Sequence, residues 1–161
     1  GAKIIIKKKS PFANNCADLE VFSSNLNNIE IKESKSSLLI DEYPILAVAA
    51  ACSKGKMIMR GLSELRYKES NRLEAIYKGL IKCGVKVCID GNDLIIYGSS
   101  ERPRGGCTIN ANLDHRIAMA FSIMSLVSVE PVKVKGCSAI TSSFPNFFDL
   151  LHKVGVKFRN E

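Results

Sequence analysis

The sequence predicts an α+β fold built from a repeated unit, and three observations carry that prediction. Apolar runs of helical and of strand period alternate regularly along the chain. The phrase "LIKCGVKV" returns as "LHKVGVKF", with its glycines 71 residues apart at Gly84 and Gly155. The helix openings "DEYP" and "DHRI" stand 73 residues apart at Asp41 and Asp114. Two such matches, with one order of elements between them, mark an internal repeat.

The elements follow in order. "ADLEVFSS" and "KMIMRG" read as strands, and "DEYPILAVAAACSKG" between them reads as an apolar helix ending at Gly55. Pro44 suits its first turn, where a missing N–H costs little. "YKESNRLEAIYKGLIKCG" reads as an amphipathic helix that starts at Lys68 and closes at Gly84. "VKVCI" and "DLIIYG" flank the hairpin turn "DGN". After "CTINAN" come helix "DHRIAMAFSIMSLVS", strand "PVKVKG", helix "PNFFDLLHKVG" and strand "VKFRN". The unit is thus helix, strand, helix, strand, strand and a further strand. "GAKIIIKK" is similar to "GVKVCID" and "GVKFRNE", so residues 1–9 read as the closing strand of a preceding repeat. The first repeat spans 17–98 and the second 106–161. The expectation is the C-terminal piece of a longer protein.

Composition narrows the function classes. With 46% hydrophobic and 24% charged residues, the chain has ordinary globular character. No apolar run approaches the length of a membrane span, and "GAKIIIKKK" lacks the layout of a signal peptide, so a soluble cytoplasmic protein is expected. The cysteines at 16, 52, 83, 88, 107 and 137 show no CxxC spacing and do not suit a zinc site. They read as small buried hydrophobes in a reducing compartment. A net charge of +7 suits an anionic partner, nucleic acid or phosphorylated metabolite. The aromatics are not interleaved with the basic residues as on a base-stacking platform.

The charged residues cluster at helix starts. Asp41 and Asp114 each precede an apolar helix and read as N-caps. His115 and Arg116 then occupy a first turn, where the helix dipole disfavours cations unless an anion lies nearby. Lys68 and Arg72, four apart, share one helical face with Glu69 on its flank. Helix N-termini bind anions, Arg forks onto carboxylate or phosphate, and a neighbouring carboxylate can exchange a proton. The repeat places these starts equivalently. One edge is therefore expected to gather Asp41, Lys68, Glu69, Arg72, His115 and Arg116 as half of a site.

"LIDEYPILAVAAACSKG", "LRYKESNRL", "LDHRIAMAF" and "SFPNFF", in this order and spacing, resemble the C-terminal part of the EPSP synthase (3-phosphoshikimate 1-carboxyvinyltransferase) family. The likeness covers nearly the whole chain. "LIDEYP" with "LDHRIAM" looks most like the bacterial class that includes glyphosate-tolerant enzymes. The resemblance implies an inverted α/β barrel of two lobes, each of three βαβαββ units, with this chain part of one lobe. It implies enolpyruvyl transfer from phosphoenolpyruvate to the 5-hydroxyl of shikimate 3-phosphate, in the pathway to chorismate and the aromatic amino acids. No metal or organic cofactor is implied. The implied partners are the two substrates and the N-terminal lobe of the same protein, without nucleic acid or membrane, in a monomeric enzyme. The fragment alone is expected to be inactive.

Carried over by motif, Asp41 binds the shikimate hydroxyls and is the candidate base. Lys68 contacts the target hydroxyl and phosphoenolpyruvate, and Glu69 shuttles the proton at the methylene carbon. Arg72 and Arg116 grip the phosphoenolpyruvate carboxylate or phosphate with His115 alongside, and Asp114 caps and orients. Two departures stand out: Asn71 replaces the aspartate of the usual K-E-S-D-R, and "AITSSFP" lacks the lysine that some members carry before "SFP". The sister enzyme acting on UDP-N-acetylglucosamine differs at "KESNRL" and "LDHRIAM". A basic RNA-binding module, like the C-terminal domain of translation initiation factor three, is the alternative from another class.

Overall fold

The computed structural model describes residues 1–9 and 16–159. Strand β1 (Lys3–Lys9) pairs antiparallel with β2 (Ala17–Phe22) in a two-stranded sheet of its own. The chain then enters a four-stranded sheet at β3 (Glu30–Ile31), which lies parallel to β4 (Lys54–Met59). Between them run the short α1 (Ser36–Leu39) and the buried α2 (Tyr43–Ala51). Helix α3 (Arg72–Lys82) leads to the hairpin of β5 (Lys86–Asp90) and β6 (Asp93–Ser99). The strand order is β3-β4-β6-β5, with β6 antiparallel to both neighbours.

The second unit opens the same way. Strand β7 (Thr108–Asn110) lies parallel to β8 (Lys133–Lys135), and α4 (His115–Val127) connects them. Helices α5 (Ile140–Ser143) and α6 (Phe147–Lys153) follow.

Periodicity explains which faces are buried. Alternation in β6 turns Leu94 and Ile96 inward, and α3 turns Leu73, Ile76 and Leu80 toward them. Helix α2, almost wholly apolar, lies between this sheet and α4, whose Ile117, Phe121 and Met124 complete one continuous core. Gly79 of α3 faces the Phe121 ring so closely that a Cβ there would stand 2.1 Å from Cζ, so only glycine lets α3 and α4 approach.

The repeated glycines prove to be one device used twice. After α3, Gly84 takes φ +81°, its N–H donates to the Ile81 carbonyl, and Val85 donates to Leu80. After α6, Gly155 takes φ +94°, with N–H bonds from Gly155 to His152 and Val156 to Leu151. This is the Schellman ending, which needs a left-handed residue after the helix.

Several expectations are corrected. Helix α3 starts at Arg72, because Lys68 is extended (φ −83°, ψ −163°) and Asn71 is the N-cap, accepting from Glu74 N at 3.1 Å. Lys68 and Arg72 therefore do not share a helical face. Helix α2 ends at Ala51, and Gly55 lies within β4. The strand expected at "VKFRN" does not form over 156–159, where no strand among the described residues offers a ladder, and Asn160 and Glu161 lie outside the described residues. Strand β2, inside the 17–98 repeat, has β1 as its pairing partner. All described cysteines are free, but only Cys83 is fully buried, while Cys16 and Cys88 are exposed. Burial pushes the Cys83 thiol up to about 12, aided by its hydrogen-bonding neighbour Cys107 at 3.6 Å.

Candidate active site

Arg72 opens α3 with its side chain 1% exposed, which demands partners for its charge. It has three. Nε donates to Asp114 Oδ2 at 2.9 Å, Nη1 to Asp41 Oδ1 at 2.8 Å, and Nη2 to Glu69 Oε2 at 2.5 Å. One guanidinium thus ties the starts of α2, α3 and α4 together. Burial pulls the Arg72 pKa down, but bonding to Asp114 and the charges of Asp114 and Glu69 outweigh it, and the net shift is upward.

Asp114 divides its two oxygens. Oδ1 caps α4, accepting from Arg116 N at 3.0 Å and Ile117 N at 3.3 Å, and Oδ2 also accepts from Ser70 Oγ at 2.9 Å. The chain reaches it through Asn112 (φ +51°) and Leu113 (φ +59°), a left-handed pair that is costly for leucine. Burial alone raises the Asp114 carboxyl, yet the hydrogen bonds from Arg72 and Ser70 and the Arg72 charge hold it below the ordinary aspartate value.

Asp41 does not cap α2, contrary to expectation. Ile40 and Glu42 both have helical backbone, so the chain passes from α1 into α2 with no extended N-cap residue. Freed from capping, the Asp41 side chain bridges Arg72 and Arg116, with Oδ2 at 3.7 Å from Arg116 Nη2. Arg116 Nη1 donates to the Asp41 carbonyl at 2.8 Å and to Glu42 Oε1 at 3.1 Å.

The structure therefore brings Asp41, Glu69, Arg72 and Arg116 together across more than 70 residues of sequence. Lys68 stands apart in a local ion pair with Glu64 at 2.9 Å. His115 occupies the first position of α4, half-buried, and its ring makes no hydrogen bond with a described residue. Arg72, expected to grip an anion, is sealed from solvent. A direct grip would require half-exposed Asp41 or Glu69 to move aside.

Glu42 and Ser70 were missed by sequence reasoning. Each neighbours a candidate residue, but neither has a periodic or capping signature. With them the cluster sets four carboxylates (Asp41, Glu42, Glu69, Asp114) against two guanidinia. Asn71 in place of the usual aspartate leaves Arg72 in place, because it caps α3 and takes no part in the guanidinium's bonds. Among the described residues, no group of three His, Cys, Asp or Glu is arranged to hold a metal ion, and no helix is long and apolar enough to cross a membrane.

A family profile for EPSP synthase (3-phosphoshikimate 1-carboxyvinyltransferase) matches residues 1–151. The 3-phosphoshikimate 1-carboxyvinyltransferase of Rhodospirillum rubrum is 49% identical over 96% of this chain and 35% of its own length. That of Paramagnetospirillum magneticum is 46% identical over 90% of this chain and 32% of its own length. An EPSP synthase structure from Acinetobacter baumannii superposes with a TM-score of 0.88 at 32% identity, covering 97% of this chain and 37% of that one. The chain thus spans about a third of the length of the relatives it matches. Its fold is part of one lobe of the inverted α/β barrel. With the profile, the sequence identities and the superposition in agreement, the chain belongs to the EPSP synthase family.

Proposed function

We propose that this chain supplies one half of an active site for enolpyruvyl transfer from phosphoenolpyruvate to the 5-hydroxyl of shikimate 3-phosphate. The observation that carries the reading is the Arg72 hub, which holds Asp41 and Glu69 about half exposed, facing the same guanidinium. In the reaction Asp41 takes the proton of the attacking hydroxyl as its oxygen bonds C2 of phosphoenolpyruvate. Glu69 delivers a proton to the methylene carbon. Elimination reverses the second step: Glu69 removes a methyl proton, the double bond re-forms as the C2–O bond to phosphate breaks, and the departing phosphate takes up the proton that Asp41 held. Lys68 supports the target hydroxyl. Arg116, with Arg72 and His115, stabilises the anionic groups as charge develops.

The carboxylate excess of this half assigns the other lobe a share of the cations that two anionic substrates need. This reading makes the chain a segment of a longer, monomeric cytoplasmic enzyme that acts without nucleic acid. Residues 1–9 close a preceding repeat, and 17–98 and 106–161 form two further repeats. The "LIDEYP" and "LDHRIAM" wording supports the glyphosate-tolerant class, which predicts phosphate release by the complete protein at glyphosate levels that stop sensitive enzymes. The family match favours this reading over the RNA module and the UDP-N-acetylglucosamine enzyme.

The test is phosphate release with both substrates present. The complete protein is expected to turn over and this chain alone is not, because closure of two lobes assembles the site. No turnover by the complete protein contradicts the enzymatic reading; turnover by the chain alone contradicts the half-site.

A further inference from the structure

Three of the four carboxylates in the cluster accept from buried Arg72. Glu42 does not. Its partner is Arg116, whose Nη1 donates to Glu42 Oε1 at 3.1 Å and to the Asp41 backbone carbonyl at 2.8 Å. The two bonds differ in kind. The carbonyl is fixed by the backbone and carries no net charge, so it sets where the Arg116 guanidinium lies. The Glu42 side chain is 53% exposed, and its carboxylate can return to water at little cost.

We propose that Glu42 is an internal anion that occupies Arg116 until a substrate anion displaces it, and that it thereby sets how tightly the site takes that anion. This rests on the reading of Arg116 as an anion ligand. Arg116 is 30% exposed, and a forked grip on a carboxylate or phosphate needs two parallel N–H groups. A ligand using the Nη1–Nη2 end competes with Glu42 at Nη1 and meets Asp41 Oδ2, 3.7 Å from Nη2. A ligand using the Nε–Nη2 edge leaves Glu42 in place, as a like charge beside it. Either way the negative charge opposes binding, while the Asp41 carbonyl keeps Arg116 positioned after Glu42 departs.

The experiment compares wild type with Glu42→Gln in the complete protein. The amide keeps the shape and the acceptor oxygen but removes the charge. The dissociation constant for phosphoenolpyruvate, read by calorimetry, and the KM are expected to fall about two- to fivefold at low salt, the size of an exposed charge pair. The gain should shrink as salt screens the charges, and kcat should hold within about twofold, as expected when only binding changes. Unchanged or weaker binding by Glu42→Gln, or a gain indifferent to salt, overturns the proposal. Where the complete protein binds phosphoenolpyruvate but releases no phosphate, the enzymatic reading falls and the affinity ratio still decides Glu42. Where it binds none, both fall.

Discussion

At the start of α4, Asp114 is wholly buried, caps two backbone N–H groups and holds Arg72. At the start of α2, Asp41 stands 45% exposed, caps nothing and holds the same Arg72 from the solvent side. The repeat puts the two aspartates at equivalent places, yet a local difference in backbone divides their work. An extended residue before α4 creates a capping position, while before α2 the N-cap residue Glu42 has helical backbone and offers none to Asp41. The buried aspartate fixes the hub. The exposed one keeps its carboxylate at the solvent face.

The largest effect expected from this contrast is on stability. Asp114→Ala removes a helix cap and a charged hydrogen bond to Arg72, and should cost about 3 kcal/mol in urea unfolding. The loss has a pH signature. Folded Asp114 holds its proton more weakly than the unfolded chain, so its contribution is whole above about pH 4 and drains as pH falls through the lower folded value. The gap between the wild-type and Asp114→Ala midpoints should therefore narrow below that pH. A constant gap would mean that the carboxylate is not what stabilises.

Asp41→Ala should divide the other way. As half of a partly exposed pair it should cost less than about 1 kcal/mol, while turnover of the complete protein should fall by about 100-fold or more. Equal stability losses at the two aspartates would erase the contrast. The smallest effect is expected at Asn71→Asp. Asparagine and aspartate cap equally well, so the midpoint should move by no more than about 0.5 kcal/mol; a larger shift would show that Arg72 senses position 71.

Much of the fold was legible where periodicity or glycine chemistry speaks locally. Gly84 and Gly155 announced one helix ending, and "DGN" announced the hairpin between Asp90 and Asp93. The true start of α3 was also written in the chain, as Asn71 followed three residues later by Glu74, but the charges of "YKES" drew the boundary upstream. Strand β3 is two residues long and has no period to read. For the site, the expected edge held Asp41, Lys68, Glu69, Arg72, His115 and Arg116; of these, Asp41, Glu69, Arg72 and Arg116 are joined by hydrogen bonds, while Lys68 pairs with Glu64 and the His115 ring bonds no described residue. The burial of Arg72 was not legible, because it comes from packing among α2, α3 and α4 and not from any local pattern.

In the proposed reaction Glu69 is the proton carrier, and Glu69→Gln in the complete protein puts that role to trial. The amide keeps a hydrogen-bond acceptor for Arg72 but cannot exchange the proton. Steady-state phosphate release is expected to show kcat reduced by about 100-fold or more, with KM for phosphoenolpyruvate changed only a few-fold. An unchanged kcat would contradict the claim and move the acid role to Asp41 or Lys68.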